Sequence, residues 1–558
     1  MPSNILQLKK SNCKNCYKCI RECPVKSIKF SEHQAHIIPD ECILCGMCFV
    51  VCPQNAKQIR DDTALVKEQI KNGRRVVASV APSFISDFDV NGIETVEAML
   101  QQLGFDKAEE TAAGAFMVKS EYENIIREKR QEVIISSCCH SINTLIQKYF
   151  PDALPYLAHT LSPMQAHAKY IKEQDPDAFV VFIGPCISKK SEWEEYGIVD
   201  AALTFDELRD WMQEEGISPA DMENIDPDPK RSRFFPVPGG IIKSMDTENT
   251  GYSYLAVDGV TNCIEAIREI CNGNLKNCFV EMNACEGGCI NGPATEKYRH
   301  SRIQCQSAVH RYADGEKTDF DVHLSEPIDK DFDYIGIKMQ KPGEKIITEI
   351  LAKMGKTLPE HELNCGACGY NTCRDKAVAI YNGKAEIGMC LPYIKERAES
   401  FSDTIINNTP NGIFVLDENL NIQQINHAAL QMFHLDSTKG VVNAPIVDYL
   451  DPTDYVTIMN DGKPILEKRH YLKEYDKYVE ESITYDKDYH IIISIMKDIT
   501  QEEEESRQKE ELKLQTVEIT DKVIEKQMRV VQEIASLLGE TTAETKIALT
   551  KLKDTMIK

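Results

Sequence analysis

The sequence predicts a multidomain chain of α/β and α+β units in series, and three observations carry that reading. At 558 residues the chain is too long for one hydrophobic core and divides into several domains. Its 21 cysteines fall largely in tight C-x2-C clusters, the pattern of metal ligands rather than of disulfides. Short apolar runs alternate with helical stretches through the middle of the chain, and beyond Cys390 the cysteines stop. With 42% hydrophobic and 27% charged residues the composition is that of ordinary folded protein. The net charge of −24 argues against a nucleic-acid partner, since phosphate binding needs a basic face. No apolar run approaches the ~20 residues that cross a bilayer. The opening MPSNILQLKKSNCKNC lacks the apolar segment of a signal peptide, so a cytoplasmic location is expected.

Residues 1–60 carry the most specific pattern. Cys13, Cys16, Cys19 and Cys23 precede Pro24 with spacing C-x2-C-x2-C-x3-C-P, and Cys42, Cys45, Cys48, Cys52 and Pro53 repeat it. This resembles the bacterial two-cluster ferredoxin, in which the fourth cysteine of each motif ligates the other cluster. The resemblance implies one 4Fe–4S centre on Cys13, Cys16, Cys19 and Cys52 and another on Cys42, Cys45, Cys48 and Cys23. Zinc, which also accepts four thiolates, is the alternative. Such clusters pass single electrons, which implies a reaction centre at the end of the wire.

In residues 61–355 the runs RRVVASVAPSF, EVIISSCC, AFVVFIGPC and NCFVEMNAC read as buried strands. Amphipathic helices are expected between them, over residues 93–103 and 205–215. The alternation predicts an α/β domain of parallel strands, whose ligands gather at the strands' carboxyl ends. The cysteine motifs fall there: SSCCHS (136–141), GPCISKKSE (184–192) and EMNACEGGCINGP (281–293). In order and internal spacing they resemble the three H-cluster signatures of the FeFe (iron-only) hydrogenases. That resemblance implies an H-cluster, a 4Fe–4S unit plus a di-iron subsite with CO, CN and azadithiolate ligands. Cys139, Cys186, Cys285 and Cys289 would hold the 4Fe–4S part, with Cys289 bridging to the di-iron subsite. Lys189 matches the lysine that donates to a cyanide ligand, and Pro82 and Ser83 would line the cavity. Cys138 matches the thiol that relays protons, Glu192 the glutamate at the outer end of the relay, and Glu121 is a candidate middle member. Gly287 and Gly288 suit close approach of the backbone to a cluster.

The motifs also depart from the family pattern. Gly184 and Asn283 stand where catalytic relatives have methionine, and His140 stands in place of proline. Losing the methionines removes apolar bulk around the cluster, and the shell around a metal site tunes potential and access. Ligation is expected to be intact and turnover slow.

Residues 356–395 hold Cys365, Cys368, Cys373 and Cys390, similar to small 4Fe–4S domains of redox proteins, so three 4Fe–4S clusters are expected beside the H-cluster. Asn371 or Thr372 is expected to cap a helix ending near Gly383. Residues 396–500 resemble a PAS sensory domain, with a hairpin between GIFVL and NIQQIN and a closing KDIT. Its histidines, His427, His434, His470 and His490, are candidates for haem ligation, each against an ordinary structural role. Thr500 and Glu503 suggest a capping box for a helix over 501–558. Val517, Ile524, Val531 and Leu538 repeat every seven residues beside Val523, Val530 and Leu537, which predicts a coiled coil and a homodimer.

The function expected from these features is a sensory FeFe-hydrogenase with H2 and protons as substrates. Its partners would be a redox protein such as ferredoxin, the maturation proteins that supply the di-iron unit, and a downstream signalling protein. The alternatives are an ordinary electron-exchanging hydrogenase and a non-catalytic iron–sulfur scaffold.

Overall fold

The computed structural model describes residues 5–9, 12–218, 228–295, 301–314, 318–538 and 542–556. The chain forms two compact units, residues 1–393 and 394–558.

In the first unit, β1 (Leu6–Leu8) pairs antiparallel with β4 (Lys57–Ile59), and β2 (Ile28–Ser31) forms a hairpin with β3 (Gln34–Ile37). Two short helices, Lys18–Glu22 and Met47–Val50, each begin inside a cysteine motif. The central segment contains two parallel sheets. One takes β5 (Val76–Val80), β6 (Lys107–Glu110), β8 (Phe179–Gly184) and β9 (Ala201–Thr204) in the order β6-β5-β8-β9. The other takes β7 (Val133–Ile135), β10 (Ser253–Asp258) and β11 (Cys278–Asn283) in the order β10-β11-β7.

Every residue of β5, β7, β8, β9 and β11 is buried, which explains their near-continuous apolar sequences. Each fully buried Val, Ile or Phe there contributes roughly 1.5–3 kcal/mol. The expected helices are present as Ile93–Gln102 and Phe205–Glu215. The second starts at a capping box between Thr204 and Glu207. β5, β7, β8 and β11 lead into Ala81-Pro82-Ser83, Ser136–Cys139, Pro185-Cys186 and Ala284-Cys285, so the motifs meet where the two sheets present their carboxyl ends.

The second unit is built on a five-stranded antiparallel sheet. β12 (Gly412–Asp417), β13 (Ile422–Ile425), β14 (Ile465–Leu472), β15 (Lys477–Asp486) and β16 (Ile491–Asp498) lie in the order β13-β12-β16-β15-β14. The expected hairpin joins β12 to β13, with Asp417 Oδ1 accepting from the N–H groups of Asn419 and Asn421.

The last helix differs from expectation in two ways. Its start is capped by Asp498, whose Oδ1 accepts from the Thr500 N–H at 3.0 Å, not by a Thr500–Glu503 box. An aspartate just before the helix satisfies the first free N–H and its charge suits the positive end. The helix also does not run on to the end as one rod. It covers Thr500–Leu538, about 58 Å, and a second helix, Thr542–Met556, packs back against it, with Lys553 Nζ 2.8 Å from Asp521 Oδ1. Val517, Ile524 and Val531 are half-buried in the heptad row, while Val523, Val530 and Ile534 stay exposed. Leu537 and Leu538 lie outside the described side chains. Among the described residues, no helix is long and apolar enough to cross a membrane.

Candidate functional site

The N-terminal cysteines gather in two sets that exchange their last members. Burial pushes the Cys19 thiol up to about 11, Lys57 opposes it, and Cys13, Cys52 and Cys16 add to it through their charge. Cys48 is raised by burial and then by Cys42, Cys45 and Cys23, and those four thiols line one small pocket. Four crowded, buried thiolates repel one another, so each set needs a cationic centre to become fully ionised. Cys45 also lies within electrostatic reach of Cys285 in the central domain. Gly46 sits there at φ +75°, and a Cβ on it would fall 2.5 Å from Pro293. This glycine lets one cluster loop press against the third central motif.

The carboxyl ends of the two sheets enclose a cavity of about 100 Å³ lined by Pro82, Ser83, Cys138, Cys139, Cys186, Lys189, Asn283 and Cys289. Burial raises Cys285, and Cys186, Cys289 and Cys139 raise it further, so these three thiols lie within electrostatic reach of Cys285. Ser83 Oγ and His140 Nδ1 are buried there without hydrogen-bond partners among the described residues. An orphaned hydroxyl and four mutually repelling thiols suit a polar, cationic inorganic group, and the residues present therefore fit an H-cluster. Gly287 and Gly288, at φ +88° and +77°, are dictated by protein neighbours: added Cβ atoms would lie 2.3 Å from Arg302 Nε and 2.4 Å from the Pro236 carbonyl.

Lys189, inside the second motif, begins the helix Lys189–Tyr196. Its Nζ donates to the Cys138 carbonyl at 3.3 Å and forms a very close pair with Glu192. Glu192 is fully buried, with Lys330 Nζ 3.8 Å from its other oxygen. Burial pushes the Glu192 carboxyl up, but Lys189, Lys330 and His140 outweigh it and hold it below its usual range. Glu192, expected at the outer end of a proton relay, is instead the interior counterion of Lys189.

Glu121 also sits elsewhere than the relay expectation had it. It accepts from Arg130 Nη1 at 2.7 Å and from Asn124 Nδ2 at 3.1 Å near the surface. The group at the Cys138 sulfur is the next residue, Tyr122, whose hydroxyl lies 3.1 Å from Sγ and accepts from the Ser137 N–H at 2.9 Å. Tyr122 is the functional residue that the sequence reading missed, and only the helical phase of Ala112–Arg127 could have singled it out. Burial raises the Cys138 thiol to about 12 against the opposing effects of Tyr122 and Lys189, so the thiol holds its proton at neutral pH. Tyr122→Phe should cost about 1–2 kcal/mol, because the buried Ser137 N–H loses its acceptor. The check is a fall of a few degrees in the thermal transition of the central domain.

The departures from the family pattern have local causes. A Cβ on Gly184 would lie 2.6 Å from the Phe182 ring and 3.0 Å from Ala81 Cβ, so Phe182 fills the space a side chain at 184 would take. Asn283 Nδ2 donates at 3.1 Å to Glu281, which also accepts from the N–H groups of Gly239 and Ile242. Burial raises Glu281 to about 7 despite those bonds. The cavity wall is polar at 283 and aromatic at 182.

The third cysteine motif docks on the first segment. Cys365, Cys368, Cys373 and Cys390 line one pocket, and Thr372 caps the helix Cys373–Tyr381 in a capping box with Asp375. Lys26 Nζ donates to the Gly369 carbonyl at 3.0 Å, and Tyr370 lies within reach of both Cys368 and Cys23. In the second unit, His470 and Glu481 line a cavity of about 660 Å³. His490 Nδ1 is 2.7 Å from Glu418.

Comparison with known proteins matches four segments of the chain. Residues 74–293 match the family "Iron only hydrogenase large subunit, C-terminal domain". Residues 12–56 match the "4Fe-4S dicluster domain", 359–392 an Fe–S cluster family, and 400–505 the "PAS fold". Iron hydrogenase 1 of Clostridium pasteurianum is 24% identical over 274 residues, 39% of this chain and 48% of that protein. The chain thus spans about half the length of that relative. The periplasmic [Fe] hydrogenase large subunit of Nitratidesulfovibrio vulgaris is 25% identical over 364 residues, 52% of this chain and 86% of the relative. A solved FeFe-hydrogenase of Chlamydomonas reinhardtii superposes with a TM-score of 0.41 at 17% identity, covering 50% of this chain and 100% of the other.

Proposed function

We propose, from the premise that the chain is a PAS-containing FeFe-hydrogenase-like iron–sulfur protein, that it activates hydrogen slowly and reports the result through its C-terminal unit. The observation that carries this reading is the cavity that Cys138 and Lys189 line together with Cys139, Cys186 and Cys289. An electron-transfer scaffold without a di-iron subsite has no use for either side chain.

In this reading Cys139, Cys186, Cys285 and Cys289 hold the H-cluster, while Pro82 and Ser83 shape its pocket. The bound cluster, with its carbon monoxide, cyanide and azadithiolate ligands, supplies the splitting of H2 into two protons and two electrons. Lys189 presents an ammonium held by Glu192, and Cys138 keeps a proton beside Tyr122. Electrons leave toward the Cys45 set, which adjoins Cys285, and through the first segment to the third cysteine set at Tyr370. The polar wall at Asn283, where the family pattern has methionine, supports slow turnover. We further read residues 1–60, 61–355, 356–395, 396–500 and 501–558 as successive functional segments of a cytoplasmic protein. Its redox partner would be a ferredoxin, maturation proteins would insert the di-iron unit, and the exposed apolar row on the last helix pair would join a homodimer or a signalling partner.

Infrared spectroscopy of the anaerobically matured full chain, before and after hydrogen, tests the proposal. Bands of metal-bound carbon monoxide and cyanide that shift with hydrogen are expected. A silent spectrum at full iron loading and verified maturation rules out hydrogen activation and leaves the scaffold.

A further inference from the structure

A row of hydrogen-bonded side chains runs from the surface of the central domain to the cavity. Glu109, at the carboxyl end of β6, is partly exposed and lies 3.3 Å from His167 Nε2. His167 Nδ1 lies 2.8 Å from Ser79 Oγ, and Ser79 Oγ lies 2.7 Å from Thr111 Oγ1. Ser79 and His167 are fully buried and Thr111 nearly so, and Thr111 lines the cavity together with Cys138 and Lys189. Three elements bring these groups together: β5 carries Ser79, the turn after β6 carries Thr111, and the helix Pro163–Gln174 carries His167.

The arrangement has a direction. A carboxylate only accepts, so Glu109 requires a proton on His167 Nε2. His167 Nδ1 is then an acceptor and takes the Ser79 hydroxyl proton, which leaves Ser79 Oγ to accept from Thr111. The charged and titratable groups facing the imidazole are Glu109 and, paired with it, Lys107 from β6, together with Tyr170 from its own helix. Glu109 is held down to about 2, first by the hydrogen bond from His167 and then by Lys107 against the effect of burial. It therefore stays ionised and fixes the tautomer.

We propose that Thr111, Ser79, His167 and Glu109 form a proton wire between the cavity and solvent, separate from the Cys138–Tyr122 pair. The inference rests on the hydrogen-activating reading above. When H2 yields two protons and two electrons, the electrons pass to the iron–sulfur clusters. Each proton enters at Thr111 Oγ1 as Thr111 passes its own to Ser79 and Ser79 passes its own to His167 Nδ1. The Nε2 proton then leaves by way of Glu109 to water. Rotation of the two hydroxyls and return of the imidazole to its first tautomer reset the row, and hydrogen evolution runs the same steps in reverse. The wire residues position and carry protons; none of them ligates the cluster.

The test uses the full chain with Thr111→Val, which keeps side-chain volume, and Ser79→Ala. Matured proteins are mixed with H2 in D2O and HD release is followed by mass spectrometry, with infrared bands recorded on the same samples. HD release at least tenfold lower in both variants, with unchanged infrared bands, is expected; equal release in wild type and both variants overturns the wire. A second readout needs no turnover. In 15N-histidine-labelled chain before di-iron insertion, the His167 Nε2 proton, assigned by its loss in His167→Gln, should exchange with water faster than the backbone amides of its helix. A merely structural histidine exchanges only when the helix opens, so a rate tied to those amides overturns the proposal. If wild type releases no HD, the hydrogen reading itself fails and the ring-proton rate alone decides the wire.

Discussion

Glu192→Gln should destabilise the central domain by about 3–5 kcal/mol, the usual cost of removing one partner from a buried ion pair. Glutamine matches glutamate in shape, so the loss is one of charge. Lys189 and Lys330 then face each other inside the protein with no anion between them. Lys330 has more compensation than Lys189, which among the described residues keeps only the Cys138 carbonyl as a hydrogen-bond partner. Lys330 donates to Gln165 Oε1 at 3.1 Å and lies 3.6 Å over the Tyr196 ring, and burial already lowers it to about 8. Glu192 raises Lys330 in the wild type, so in its absence Lys330 sheds its proton below that value and the penalty should shrink as the pH rises toward 8.

In the wild type the sign is opposite for the acid. A carboxyl with a lowered folded value contributes stability that is complete above its unfolded value, near 4.5, and is lost as the pH falls through the folded value. Thermal denaturation of wild type, Glu192→Gln and the Glu192→Gln/Lys189→Met pair across pH 6–9 measures the lysine effect, and wild type taken from pH 6 down through 4.5 measures the acid one. Recovery in the double variant identifies Lys189 as the uncompensated charge. A silent Glu192→Gln would mean that Glu192 is not the counterion the geometry makes it.

Local chemistry was legible in the sequence, and phase and distance were not. The duplicated cysteine run, the strand-ending motifs and the Thr372 cap each depend on residues a few positions apart, so spacing alone exposes them. The choice between Glu121 and Tyr122 depends on helix rotation. Consecutive residues point about 100° apart, and nothing in the local sequence says which of the two faces Cys138. Glu192 matches a relay glutamate by its place in the motif, and its role as a counterion shows only once the helix Lys189–Tyr196 is seen to start at the cavity wall. At Gly184 the sequence records a missing side chain, while the Phe182 ring that occupies its place lies two residues back along the same strand. The periodicity of the long C-terminal helix does not say where the helix turns back, because a heptad row fits a partner helix from the same chain as well as one from another. The row Ser79, Thr111, His167 and Glu109 comes from three separated segments and has no sequence signature.

Gly114→Ala should have the next largest effect, a destabilisation of about 1–3 kcal/mol or more, although alanine is the better helix former by up to ~1 kcal/mol. Gly114 lies in the buried face of the helix Ala112–Arg127. A Cβ there would lie 2.1 Å from the Pro163 carbonyl and 2.8 Å from His167 Cβ. Two of the three nearest atoms belong to the backbone of the helix Pro163–Gln174, so no side-chain rotation relieves the clash and the two helices must move apart. Their separation carries His167 away from Ser79, which stretches a 2.8 Å contact beyond hydrogen-bond range if the shift approaches 1 Å. Gly114→Ala is therefore expected to lower thermal stability and to slow HD release together, whereas Ser79→Ala lowers HD release with little change in the packing of the two helices. Gly114→Ala with full stability would mean that the helices approach less closely than 2.1 Å implies, and the placement of His167 would then have to rest on Ser79 and Glu109 alone.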